Sequence, residues 1–307
     1  MAVLLDCGVA DQRIGVIGAT SSVGKCVLPL LAQHGWQAVA FSRRQVEAEI
    51  MRQNPAVIWY QLAHELNMAR MGKLPPADNN ITSWLYLAPI WTLPAYFDFL
   101  TAQGAQRIVV LSSTSIFTKD DSSDSGEKKV AQHLAEGEAM LRAWAEKSDV
   151  TWIILRPTLI YGLGRDKNIT EIIRFIRRFK FFPLLGSAQG LRQPVHVEDV
   201  AAACFAAFLA SNVINRAYNI SGAETLTYRE MIKRVFKALD QPPCMLTIPH
   251  WLFRLVVNTL RQLPRYRHWT IAMAERMNRN LVFDYAEAAR DFGYAPKPFL
   301  LMKEDLP

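Results

Sequence analysis

The sequence predicts an α/β fold, a doubly wound parallel sheet with a smaller C-terminal α+β lobe. Three observations carry that expectation. Short apolar, β-branched runs alternate with longer stretches of helical period, as strand–helix–strand units require. The first run ends in a glycine-bearing turn that leads straight into a helix. After residue 215 the alternation loosens into short helices and proline-containing turns.

Taken in order, the first strand is expected at Arg13–Ile17 ("RIGVI") and its helix at 25–34. Further strands are expected at 38–41, 57–60, 83–87, Arg107–Leu111 and 151–155, with helices at about 93–102 and at 128–146. The stretch "TKDDSSDSGEKK" (118–129) is polar and reads as a mobile loop. "VEDVAAACFAAFLAS" (197–211) reads as a helix, with Asp199 placed to cap its first turn. In "GRDKNITEIIRFIRRFKFFPLLG" (164–186) helical spacing puts Ile172, Phe175, Ile176 and Phe179 on one apolar face. Arg165, Lys167, Asn168, Arg174, Arg177 and Arg178 lie elsewhere. Residues 1–164, completed by about 191–215, are read as a dinucleotide-binding domain, and 165–190 with 216–307 as a substrate lobe.

The 307 residues, half of them hydrophobic and 21% charged, suit a globular protein with a real core. No apolar run approaches the roughly 18 residues of a spanning helix. The start, "MAVLLDCGVADQR", has no basic region, and Asp6 interrupts its apolar run, so it reads poorly as a signal peptide. Cys7, Cys26, Cys204 and Cys244 lack C-x-x-C spacing, which points to free thiols in a reducing cytoplasm. The net charge of +7 favours anionic ligands, while no aromatic–glycine signature argues for nucleic acid. Much of the excess lies in 172–182 and 253–269. The segment 249–269 mixes Trp251, Phe253, Leu255, Val256 and Leu260 with Arg254, Arg261, Arg265 and Arg267. That pattern suits packing in the lobe, a homodimer contact, or peripheral contact with an anionic membrane.

The chemistry-bearing motif is "GATSSVG" (18–24). A strand that ends in such a turn aims backbone N–H groups and a positive helix end at a pyrophosphate. Gly18 permits the sharp bend, Thr20, Ser21, Ser22 and Val23 line the turn, and Gly24 lets the helix approach the strand. Ser21 replaces an expected glycine, and its hydroxyl suits either the helix cap or a phosphate. At the end of the second strand an NAD site usually carries an acidic residue; here stand Ser42, Arg43 and Arg44. Guanidinium groups suit a 2′-phosphate, so NADP(H) is favoured over NAD(H).

With "VVLSSTSIF" (109–117), "ILRPTLIYGLG" (154–164), "RQPVHVEDVA" (192–201), "AYNISGAETLTYREM" (217–231) and "FDYAEAARDFGYAPKPF" (283–299), the chain resembles the extended or atypical short-chain dehydrogenase/reductase superfamily, in particular its NAD-dependent epimerase/dehydratase group. The resemblance implies a Rossmann-like fold and an oxidoreductase or epimerase. It implies that Ser113 polarises a substrate hydroxyl or carbonyl, and that Ser112, Pro157, Thr158 and Ile160 lie along the cofactor. Ala88 and Pro89 would run under its ribose, and Arg192 would meet a substrate diphosphate. His196 would be structural. Arg165 and Asn168, which open the helix nearest the expected cleft, are the other substrate candidates.

The family's Y-x-x-x-K pair has no counterpart in this register. Glu138 matches a family glutamate, which puts Val130 and Leu134 in the tyrosine and lysine places, and no tyrosine occurs between Tyr96 and Tyr161. Lys128, Lys129, His133 and Tyr161 are the substitutes at hand. Two readings stay open: an NADP(H)-dependent enzyme acting on an anionic, sugar-like small molecule (nucleotide- or lipid-linked), and an NADP(H)-binding sensor or scaffold without turnover.

Overall fold

The computed structural model describes residues 12–43, 45–46, 51–52, 55–62, 81–120, 122, 124–166, 168–249 and 275–307. Arg44, Lys167 and, apart from Pro249, the segment 249–269 lie outside them.

The central sheet has seven strands. In spatial order they are β11 (Arg216–Ile220), β6 (Thr151–Pro157), β5 (Arg107–Leu111), β4 (Ser83–Tyr86), β1 (Arg13–Ile17), β2 (Gln37–Ser42) and β3 (Ile58–Gln61). The pairs β1–β2, β2–β3, β1–β4 and β4–β5 are parallel. Parallel strands are covered on both faces, and β1, β2, β4 and β5 are accordingly buried along nearly their whole length. The chain passes from β1 through β2 to β3 on one side, then returns to place β4 on the other side of β1. The winding therefore reverses beside β1, which makes the end of that strand a natural ligand position.

The expected elements lie close to where the sequence puts them, with departures of local cause, while β11 and the short strands outside the central sheet were not expected. Helix α1 (Ser22–Gln33) starts three residues before the expected 25 because Ser21 caps it. The expected 93–102 helix is a 3₁₀ turn, Ile90–Tyr96, followed by α2 (Phe97–Ala102). Pro94, which has no N–H to give, sits inside the 3₁₀ portion.

The polar stretch 118–129 is less loop than its composition suggests. Helix α3 (Ser115–Thr118) precedes it and α4 (Ser125–Lys147) begins within it. Asp124 Oδ1 accepts the Glu127 amide at 3.0 Å, a side-chain cap that makes the early start favourable.

Two compact units can be separated. The first comprises Met1–Leu111, Gly137–Ile154 and Cys204–Arg216; the second comprises Ser112–Glu136, Leu155–Ala203 and Ala217–Pro307. The first holds an aromatic cluster in which Phe41, Trp84 and Phe99 have ring centroids 5.5 Å apart pairwise. In the second, α5 (Ile169–Phe179) and α7 (Tyr228–Ala238) share one apolar core with β8 (Phe182–Leu185). Strand β8 runs parallel to β13 (Met245–Ile248), and β9 (Leu191–Arg192) antiparallel to β12 (Leu226–Thr227). Strands β7 (Ile160–Tyr161) and β10 (Val195–His196) form a further parallel pair.

The apolar face of α5 needs correction. Ile169 and Ile173 are buried with Ile172, Phe175 and Ile176, whereas Phe179 is 39% exposed. The centre of the buried stripe lies one turn earlier than the sequence suggests. Asp199, in the first turn of α6 (Val197–Leu209), also departs from expectation. Its carboxylate accepts the Lys297 amide at 2.9 Å, while His196 Nδ1 accepts the Glu198 amide at 3.3 Å. Among the described residues no helix is long and apolar enough to cross a membrane.

Candidate functional site

In the first unit, the β1–α1 turn has the geometry of a diphosphate cradle. Gly18 has φ +85°, and a Cβ there would lie 2.7 Å from the Ala88 amide nitrogen, so both its conformation and its closeness to β4 demand glycine. A Cβ on Gly24 would lie 2.4 Å from the Ala19 carbonyl oxygen. The two glycines are thus the bend and the close approach that the sequence assigns to them. The Ser21 amide closes the turn on Gly18 O at 2.9 Å, and Ser21 Oγ accepts the Gly24 amide at 3.0 Å. Ser22 and Val23 amides occupy the first turn, where a helix offers no carbonyl partner. No acidic residue stands in that turn, so its partial positive charge is available to an anion. Thr20 and Ser22 are half-buried in the same turn.

Strand β2 ends with Ser42 buried and Arg43 exposed. The Arg43 charge is felt at the hydroxyls of Tyr86 and Tyr96, where it opposes the rise in pKa that burial imposes on both. The cation therefore sits near the end of β4. Beyond that strand, Ala88 and Pro89 are held by a short relay. Tyr86 OH bonds Thr92 Oγ1 at 2.6 Å, and Thr92 Oγ1 donates to Pro89 O at 2.7 Å. Nothing in the residue pattern announces this brace.

In the second unit, Ser112 and Ser113 follow β5, and the Ser112 amide bonds Leu155 O at 2.8 Å. Ser113 is half-buried, and its Oγ accepts the Ser115 amide at 3.1 Å. That contact uses a lone pair and leaves the hydroxyl proton to donate. Pro157 is buried; Thr158 Oγ1 donates to Gln193 O at 2.5 Å, and Ile160 is half-buried in β7. The same unit holds a cluster that the sequence did not reveal. Glu127 pairs with Arg276 and accepts Ser122 Oγ at 2.8 Å. Burial, then the charge of Arg276, hold Lys119 below the usual lysine pKa, with Asp124 opposing.

The residues expected to substitute for the Tyr/Lys pair fare unequally. Lys128, Lys129 and His133 are exposed on α4. Tyr161 is 1% exposed, and its hydroxyl donates to Leu300 O at 3.2 Å and accepts the Leu300 amide at 3.3 Å. Burial pushes its pKa up to about 12, so it is held as a packing residue. His196 is structural in this unit too: its Nε2 lies 3.1 Å from Asp305 Oδ1.

Arg192 is 4% exposed, and its guanidinium donates to the carbonyls of Leu191 and Arg279, each at 2.7 Å, and to that of Arg276. It also lies over the Tyr228 ring, and burial lowers its pKa to about 10. Arg165 and Asn168 are both exposed at the start of α5. The first turn there is capped by a residue the sequence reading passed over. Asp166 accepts the Asn168 and Thr170 amides at 2.8 and 3.1 Å and the Thr170 hydroxyl at 2.7 Å.

Residues 95–221 match the model of the NAD dependent epimerase/dehydratase family. It is 30% identical over 216 residues to the uncharacterized protein y4nG of Sinorhizobium fredii, covering 65% of this chain and 52% of that protein. It is 23% identical over 161 residues to the UDP-glucose 4-epimerase of Vibrio cholerae, covering 50% and 49% respectively. In these two matches the chain spans about half the length of the curated relative. The solved UDP-glucuronic acid 4-epimerase from Bacillus cereus in complex with NAD has the same fold, with a TM-score of 0.69 at 14% identity over 95% of each chain.

Proposed function

We propose that the protein binds NADP(H) and acts as an oxidoreductase or epimerase on a hydroxyl or ketone of an anionic, sugar-like small molecule. The observation that carries this reading is the β1–α1 turn: Gly18 at φ +85° against Ala88, and a helix start without an acidic residue. The turn fits a dinucleotide in that its bend and its close helix approach both require glycine, at Gly18 and Gly24. Ser22 and Val23 amides would hold the diphosphate, with Thr20 beside them, while the Tyr86–Thr92 brace fixes Ala88 and Pro89 under the ribose. Arg43 and Arg44 would take the 2′-phosphate, and Ser42 the ribose edge. Solved relatives carry NAD, so the preference for the phosphorylated cofactor rests on the two arginines.

When bound, a nicotinamide supplies or accepts a hydride. Ser113 would polarise the reacting oxygen with the proton its hydroxyl retains, and water would exchange the proton with solvent. Ser112, Pro157, Thr158 and Ile160 are assigned to the cofactor, and Arg165 and Asn168 to the substrate's anionic part, whereas Arg192, expected there from the sequence, is buried on three backbone carbonyls.

A second reading, binding without turnover, is favoured by one feature. The places of the family's Tyr and Lys on α4 hold Val130 and a Leu134 that is 3% exposed. The two separate in one assay. NADPH oxidation against a panel of ketones and keto-sugars is expected, with Ser113→Ala slowing it by roughly a hundredfold while cofactor affinity is unchanged. Cofactor binding with no turnover by wild type would establish the second reading instead.

A further inference from the structure

We infer that the corner where α5 turns into β8 is a docking surface for an anionic phospholipid bilayer. Four cations, Arg174, Arg177, Arg178 and Lys180, are exposed within seven residues. Arg174 is paired with Glu171 at 2.6 Å. Arg177 donates to a backbone oxygen of Pro307, and Arg178 lies over the Phe179 ring at 5.5 Å. The ring contact leaves the Arg178 charge in place, and Lys180 adds a second. The corner therefore presents an excess of positive charge on a chain that is already at +7.

The same corner exposes aromatic surface in layers. Phe175 is buried, and its ring centroid lies 4.6 Å from that of Phe179 and 5.7 Å from that of Phe181. Phe179 and Phe181 thus rest on the core as an outer shell, with Phe179 39% exposed and Phe181 partly so. Lys180 stands between them in the left-handed region, φ 64°, and ends the helix. Rings supported from below and flanked by cations match a headgroup boundary. The rings enter the acyl margin and the guanidinium and ammonium groups meet lipid phosphates. Charge complementarity selects an anionic bilayer over a neutral one. The surface lies in the second unit, shares no residue with the dinucleotide turn, and does not depend on the proposed activity.

The test is sedimentation of the full chain with vesicles. Wild type is expected to sediment with phosphatidylcholine vesicles containing about a third phosphatidylglycerol, and to stay in solution with phosphatidylcholine alone or at high salt. Arg177→Glu with Arg178→Glu should weaken partitioning by roughly tenfold or more. Because Arg177 also holds Pro307, a second variant, Arg178→Ala with Lys180→Asn, leaves that contact intact and should weaken it by several-fold. Phe179→Ser should weaken binding while leaving its salt dependence. Wild type that ignores the anionic vesicles overturns the proposal. So does undiminished binding by the folded charge variants, which would place the contact in another segment such as 249–269.

Discussion

Ser21 Oγ accepts the Gly24 amide, so one first-turn N–H is satisfied from within the chain before any ligand arrives. A side-chain cap of this kind contributes about 1 kcal/mol. Ser21→Ala should lower the unfolding free energy by about that amount in a denaturant titration, with dinucleotide affinity retained through Ser22 and Val23. Cofactor choice is also a residue-scale matter. Arg43→Ala with Arg44→Ala should weaken NADPH by roughly tenfold or more, since charge-assisted phosphate contacts are lost, and should leave NADH nearly unchanged. Equal effects on both would remove the 2′-phosphate assignment. Gly18 and Gly24 were legible because the local backbone demands glycine at both. Asp305 was not, because its partners His196 and Leu163 lie more than a hundred residues away; Asp166 and Thr92 bond residues within six positions, a local signal that went unread.

At the scale of elements, the six expected strands were legible almost to the residue, with β1 and β5 at Arg13–Ile17 and Arg107–Leu111, whereas β11 and the short strands of the second unit were not expected. Buried parallel strands read as continuous apolar runs, a signal that needs no partner to interpret. Helix starts were less legible. Both α1 and α4 begin three residues earlier than their apolar pattern, since Ser21 and Asp124 extend them with side-chain caps. The α1 junction is tight as well as capped. Gly24→Ala would place a Cβ 2.4 Å from Ala19 O. That variant should lose dinucleotide binding and unfold at a lower temperature; unchanged affinity would show that the helix does not need its close approach.

For the whole molecule, pH dependence reports how the second unit is tied together. Burial alone would lower the His196 pKa, but the hydrogen bond and charge of Asp305, with Glu198 and Asp199, raise it above the usual imidazole value. Burial alone would raise Asp305, but bonds from His196 and the Met302 and Leu163 amides bring it below the usual carboxylate value. The histidine's contribution is complete below its unfolded pKa and is lost as pH rises through the raised folded value. The aspartate's is complete above its unfolded pKa and is lost on acidification through the lowered folded value. This pair should therefore stabilise most between about pH 4 and 6.5. Asp305→Asn should flatten the profile of melting temperature against pH on both sides; parallel profiles for variant and wild type would assign the stability elsewhere.

The central claim is that the β1–α1 turn presents its amides to a dinucleotide diphosphate. Calorimetric titration of the folded protein with NADPH and NADH tests it most directly. Binding of NADPH, more tightly than NADH and abolished by Gly24→Ala, is the predicted result. Heat from neither nucleotide would contradict the account.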